Sequence, residues 1–129
     1  FGKHLSYHFP FADQLDLEQL HAAAKLLLQY DAFYPFCKSN TDVKTMRCEM
    51  KEARWELQPE QQQLVLHVAA NRFLRGMIRL IVGMCLNVGI GKVSLEEVKA
   101  ALDQQTRLQK SWSVPPDGLY LMDIRYPYL

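Results

Sequence analysis

From position 17 onward, apolar residues recur at helical spacing. Leu17, Leu20, Ala24, Leu27 and Leu28 fall on one face, predicting an amphipathic helix that runs to about Gln29. Its start is marked chemically: Asp16 can cap it, Gln19 can reach back from the third helical position, and Leu15 can staple to Leu20. Asp31 to Lys44 is irregular, with Pro35 and the run Asn40-Thr41-Asp42, and the period then drops to two. Cys48 to Leu57 alternates as a strand, with Ala53, Trp55 and Leu57 inward and Arg54 and Glu56 outward. Gln58-Pro59-Glu60-Gln61 supplies a turn, and Leu64, Leu66, Val68 and Ala70 carry a second strand, antiparallel to the first in a hairpin.

Asn71 can cap a second helix running to Val88, and Gly89 to Gly91 end it. Val93-Ser94-Leu95-Glu96-Glu97-Val98 combines a Ser-x-x-Glu capping box with a Val93 to Val98 staple, so a third helix begins at Ser94. Pro115-Pro116-Asp117-Gly118 is a turn, and Leu119 to Tyr126 is a closing strand in which Tyr120, Met122, Ile124 and Tyr126 alternate with Leu119, Leu121, Asp123 and Arg125. No internal repeat is visible. The order helix, strand, strand, helix, helix, strand predicts an α+β fold, a mostly antiparallel sheet with helices packed on it.

On a wheel, the second helix places Phe73, Leu74, Met77, Ile78, Ile81, Met84, Cys85 and Val88 on one broad apolar face. The opposite side holds Arg75 and Arg79 one turn apart, with Gly76 and Gly83 one above the other. No Asp or Glu lies between Asn71 and Lys92, so the acidic partner of this cationic stripe has to come from elsewhere. Glycine inside a helix costs about 1 kcal/mol relative to alanine, so two on the arginine side point to a close approach by another backbone or a ligand. An interdomain salt bridge at Arg79, with the glycines easing helix packing, accounts for the same pattern.

At 129 residues and 15.0 kDa, with 49% hydrophobic and 22% charged residues, the chain is one globular domain's worth of protein. It opens on Phe1 rather than Met, which suggests a cut or processed chain. The formal net charge is +1, but the basic residues cluster. Between Asn71 and Lys110, Arg72, Arg75, Arg79, Lys92, Lys99, Arg107 and Lys110 face only Glu96, Glu97 and Asp103, and Lys38, Lys44, Arg47, Lys51 and Arg54 form a second group against Asp42, Glu49 and Glu52. Such clusters build a phosphate-binding face or simply a solvated surface. Cys37, Cys48 and Cys85 match neither a disulfide framework nor a metal knuckle, so reduced thiols are expected. The apolar stretch Phe73 to Val88 is interrupted by Arg75 and Arg79, against membrane spanning, and a cytoplasmic protein is expected. His4 and His8 stand at i, i+4 without a third ligand, a poor metal site. Trp55 and Trp112 could each stack a base, Trp55 serving equally well as core.

Four segments carry a likeness to a known family. Ala70 to Gly83, Ala-Asn-Arg-Phe-Leu-Arg-Gly-Met-Ile-Arg-Leu-Ile-Val-Gly, resembles the A-N-x-F-L-x-x-M-V-R-x-I-V-G signature of the tRNA pseudouridine synthase A family. Asp31 to Lys38 resembles its H-D-F-x-x-F stretch, and Pro115 to Leu121 its P-x-x-G-L-Y-L run; Leu5 to Pro10 is similar to its Y-x-W-H-Y-P segment.

The resemblance implies an enzyme that isomerises uridine to pseudouridine in the anticodon stem-loop of tRNA, without metal or organic cofactor, as a homodimer with a basic cleft. Its catalytic aspartate belongs to an R-T-D-x-G-V-H-type motif that is absent here; Asp13, Asp16, Asp31, Asp42, Asp103, Asp117 and Asp123 all stand in other contexts. The R-x-Y-x-Y tyrosine that stacks on the target base is absent too. The 129 residues are thus expected to be the C-terminal domain, with the aspartate-bearing N-terminal domain missing, and to be inactive alone. By the same resemblance, Arg79 is the arginine that pairs with the catalytic aspartate, and Leu119 is an apolar wall of the uracil pocket. Arg72, Gly76 and Leu80 stand where many members have Ala, His and Asn, and Thr106-Arg107 replaces a common Asp-Arg pair. Arg72, Arg75, Lys38, Lys44, Arg107 and Lys110 are candidate phosphate contacts on charge alone. A freestanding RNA-binding module and a dimerisation domain are the alternatives in other classes.

Overall fold

The computed structural model describes residues 2–10, 15–37, 47–60, 62–73, 76–108, 112–114 and 119–125. Four strands, β1 (Gly2–Pro10), β2 (Met50–Gln58), β3 (Gln63–Ala70) and β4 (Leu119–Arg125), form one sheet in the order β2-β3-β1-β4. Every pairing is antiparallel. The expected hairpin is present as β2 and β3, closed by Gln62 in a left-handed conformation (φ 51°) whose N–H donates to the Pro59 carbonyl. The sequence reading missed β1, which lies between β3 and β4: Tyr7 pairs with Leu66 on one side and Leu119 on the other.

Register sorts the side chains. Ala53, Val68 and Leu5 lie abreast, as do Trp55, Leu66 and Tyr7, and this face joins the helices in one buried cluster. Leu57 belongs to the same row as Leu64 but is 39% exposed, a correction to its expected inward place, because β2 is an edge strand. The other face carries Arg54, His67 and Ser6, then Glu56, Val65 and His8. Central β3 is buried on both faces from Leu64 to Val68, as an inner strand requires.

Helix α1 (Leu17–Leu27) starts where its cap stands, the Asp16 carboxylate accepting from the N–H groups of Glu18 and Gln19. Its buried residues are Leu20, Ala23, Ala24 and Leu27; Leu28, expected on that face, lies one residue past the helix end and is exposed. Leu15 and Leu20 converge on Gly89, each with a methyl 3.1 Å from where a Cβ on that glycine would stand. Asp16 N–H donates to the Gly89 carbonyl, tying the start of α1 to the end of α2 (Met77–Gly89). Helix α3 (Leu95–Gln104) has the full capping box, Ser94 and Glu97 each satisfying the other's backbone N–H, above buried Val93 and Val98.

Helix α2 is the main correction. It begins at Met77, not Asn71. The Asn71 side chain is committed elsewhere: its Oδ1 accepts from Glu49 N–H at 2.7 Å, while its own N–H donates to the Glu49 carbonyl. Gly76, expected inside the helix, is its N-cap at φ 70° and ψ 5°, a left-handed conformation that glycine adopts at no steric cost. Apart from Arg79, every residue from Met77 to Gly89 is buried, so the apolar character wraps the whole helix rather than one face. Helix α1 and the short 3-10 turn Tyr34–Phe36 pack against it.

Candidate functional site around Arg79

Arg79 is the third residue of α2 and its one partly buried member. No acidic side chain occupies the first turn and no side chain caps it. A cation beside the positive end of a helix dipole is mildly unfavourable, by about 0.3–1 kcal/mol at an exposed site, and the two positive fields together attract an anion.

Among the described residues the guanidinium is held by one corner. Its Nε–H donates to the Val114 carbonyl at 2.6 Å, and Val114 N–H donates back to the Arg79 carbonyl at 3.2 Å. The Nη1 and Nη2 groups have no partner among the described residues, and no carboxylate there pairs with Arg79. Nε-side anchoring, with no partner at the outer edge among the described residues, suits the guanidinium to an anion in its plane.

The segment 112–114 lies along α2, and Gly83 is what admits it. A Cβ there would stand 1.7 Å from the Trp112 carbonyl oxygen, inside any permitted contact. The close neighbour expected from Gly83 is therefore a backbone, running beside the same helix edge as Arg79. Val114 is fully buried, the Ser113 hydroxyl is buried without a hydrogen-bond partner among the described residues, and Trp112 remains 42% exposed. Sequence patterning signalled this approach through Gly83 but could not say which segment makes it.

The other candidates are not all brought to this place. Arg72 is exposed between β3 and α2. Exposed Arg107 stacks its guanidinium over the half-buried Tyr34 ring, 4.9 Å from the centroid. That ring is positioned by Gln105, left-handed at φ 52°, which accepts from Tyr34 N–H at 2.9 Å and donates to the carbonyls of Ala32 and Leu102. Neither Tyr34 nor Gln105 stood among the sequence candidates; only Arg107 signalled this corner. Leu119 pairs with buried Tyr7 in the β1–β4 register. Lys38, Lys44, Arg75 and Lys110 lie outside the described residues.

The ionisable groups elsewhere serve structure. Burial pushes the Cys85 thiol up to about 12, with the Trp55 indole opposing weakly. The His67 ring Nε2–H donates to the Glu56 carboxylate at 2.7 Å, and that hydrogen bond holds the Glu56 carboxyl below its usual range. Among the described residues no three His, Cys, Asp or Glu side chains gather into a metal-binding group.

With the fold and the arginine site in place, comparison gives the class: residues 23–127 match the tRNA pseudouridine synthase family, and the chain belongs to that family. Among curated relatives, tRNA pseudouridine synthase A of Porphyromonas gingivalis is 41% identical over 114 residues, covering 88% of this chain and 45% of that protein. The protein of the same name from Bacteroides fragilis is 37% identical over 121 residues, with 94% of this chain and 48% of the relative covered. That of Bacillus subtilis is 32% identical over 126 residues, covering 98% of this chain and 49% of the relative. The chain thus spans about half the length of the curated relatives it matches.

Proposed function

We propose that this chain is the C-terminal domain of a tRNA pseudouridine synthase, a cytoplasmic homodimer that isomerises uridine to pseudouridine in the anticodon stem-loop of tRNA. The observation that carries the proposal is the state of Arg79: anchored through Nε to Val114, with its outer edge unspent and no carboxylate paired to it among the described residues. A catalytic aspartate from polypeptide outside these 129 residues is the partner that this arrangement suits. Two parallel N–H···O bonds would orient such a carboxylate, and the adjacent charge would keep it ionised and able to attack the nucleoside.

The reaction breaks the bond from C1′ to N1 of uracil and makes one from C1′ to C5, with a proton passing from C5 to solvent and N1 taking one up. No electron is gained or lost, so the isomerisation calls for no redox partner. The target base must leave its helix or loop stack to be reached. In this reading Leu119 forms an apolar wall of the uracil pocket, and Arg72, Arg75, Lys38, Lys44, Arg107 and Lys110 contact the RNA backbone.

The test uses the full-length protein and its Arg79→Ala variant. Pseudouridine formation in tRNA is expected to fall by at least about a hundredfold, the scale of losing one preorganised charge contact, while tRNA affinity changes little. Equal losses in both would make Arg79 an RNA contact only. The 129-residue chain by itself is expected to form no pseudouridine; turnover by it would overturn the assignment of the nucleophile to an absent segment.

A further inference from the structure

We infer that the Trp112 indole is a stacking surface for a nucleobase of the RNA, beside Arg79. The inference rests on the RNA-modifying reading above and adds a positioning residue to it. The chain has two tryptophans, and they are placed oppositely: Trp55 is 3% exposed in the core, whereas Trp112 is 42% exposed. An indole is among the largest apolar surfaces a protein can show to water, and leaving one outside gives up its burial free energy.

Trp112 is exposed yet firmly mounted. Its carbonyl rests on the backbone at Gly83, and two residues later Val114 is clasped to Arg79 by two hydrogen bonds. An extended step of two residues covers about 6.6 Å. The helical rise from Arg79 to Gly83 is about 6 Å. The two spans match, so the segment lies along α2 with Trp112 about one helical turn from Arg79. That separation is on the scale of one nucleotide. A preorganised aromatic ring mounted one helical turn from Arg79 is what single-stranded RNA recognition uses, the ring stacking on a base. Among the described residues the other exposed large apolar side chains, Leu28, Leu57 and Ile90, are aliphatic and offer no π face.

The experiment uses the full-length protein and an anticodon stem-loop RNA. Binding is expected to quench the emission component that disappears in Trp112→Phe. Trp112→Leu, which keeps apolar bulk without a π face, is expected to weaken RNA binding about tenfold, and Trp112→Phe less than about threefold, in line with typical stacking losses. The salt dependence should stay parallel to that of the parent, since stacking releases no counterions. RNA affinity unchanged in a folded Trp112→Leu protein would overturn the inference. So would a Trp112 unreachable by acrylamide in the RNA-free protein, which would mean another protein segment covers it. Quenching of Trp112 by RNA in a protein that forms no pseudouridine would defeat the enzymatic reading alone; pseudouridine formation with unaltered affinity in Trp112→Leu would defeat the stacking alone.

Discussion

Arg79 and Val114 hold each other by two hydrogen bonds, guanidinium Nε to the Val114 carbonyl and Val114 N–H to the Arg79 carbonyl. One is a side-chain bond and can be removed separately. Arg79→Ala is expected to lower the stability of the chain by about 1.5–3 kcal/mol, the usual worth of a hydrogen bond to a charged group, read as a lower urea midpoint with unchanged slope. An unchanged midpoint would mean the clasp is carried by the backbone bond alone.

Gly83→Ala sets two effects against each other. Alanine improves helix propensity by about 1 kcal/mol. The added Cβ, however, meets the Trp112 backbone carbonyl at 1.7 Å, and a backbone cannot rotate away as a side chain can. Overpacking of that kind costs about 1–3 kcal/mol or more, so the clash wins. The expected result is a lower melting temperature together with a shift in Trp112 emission as the segment is displaced.

Cys37, Cys48 and Cys85 are all buried, and none of them forms a disulfide. With the Cys85 thiol at about 12, its thiolate fraction at pH 8 is about one in ten thousand, and the thiolate is the reactive form. Native protein is expected to take up no thiol reagent at these sites until denaturant is added. Stoichiometric labelling under native conditions would contradict the packing.

The acid limb of stability is expected to depend on two hydrogen-bonded carboxylates. His67 lowers Glu56, and the Tyr30 hydroxyl, 2.5 Å away, lowers Asp103. Depressed folded-state values mean that the contribution is full above the unfolded carboxylate range, about 4, and is lost as pH falls through the folded values. Tyr30, raised first by its bond to Asp103, and Lys99, raised first by Tyr30, act in the opposite sense: their contribution is full below about 10 and is lost as pH rises through the folded values. Glu56→Gln combined with Tyr30→Phe should flatten the fall in melting temperature between pH 5 and about 3, by a small amount that shrinks further in salt because the groups are exposed. An identical acid slope in parent and variant would contradict the assignment.

Much of this architecture was written locally. The capping box at Ser94, the cap at Asp16 and the period-two runs of β2 and β3 are each determined by residues within a few positions, and each stands where the pattern placed it. β1 is equally legible, since Leu5, Tyr7 and Phe9 alternate with Ser6 and His8, the period of a strand. The start of α2 was misplaced because Asn71 has the chemistry of a cap and Phe73, Met77 and Ile78 extend the helical period backwards. A distant partner, Glu49, claims Asn71, and a left-handed Gly76 interrupts the backbone. At the site, Arg79 was found by resemblance and Gly83 by its cost in a helix. Their contacts with Val114 and Trp112 cross 35 and 29 positions and leave no periodic trace.

The placement of β1 has a kinetic consequence. Its neighbours are β3 and β4, and Gly2 pairs with Arg125, so the sheet is completed by a pairing across 123 positions of the chain. Sheets closed by such distant pairings fold slowly, because chain-closure entropy is spent before the contacts repay it. On the ribosome, β1 would wait with one edge open until β4 emerges, the interval in which a chaperone or a neighbouring chain could bind it instead.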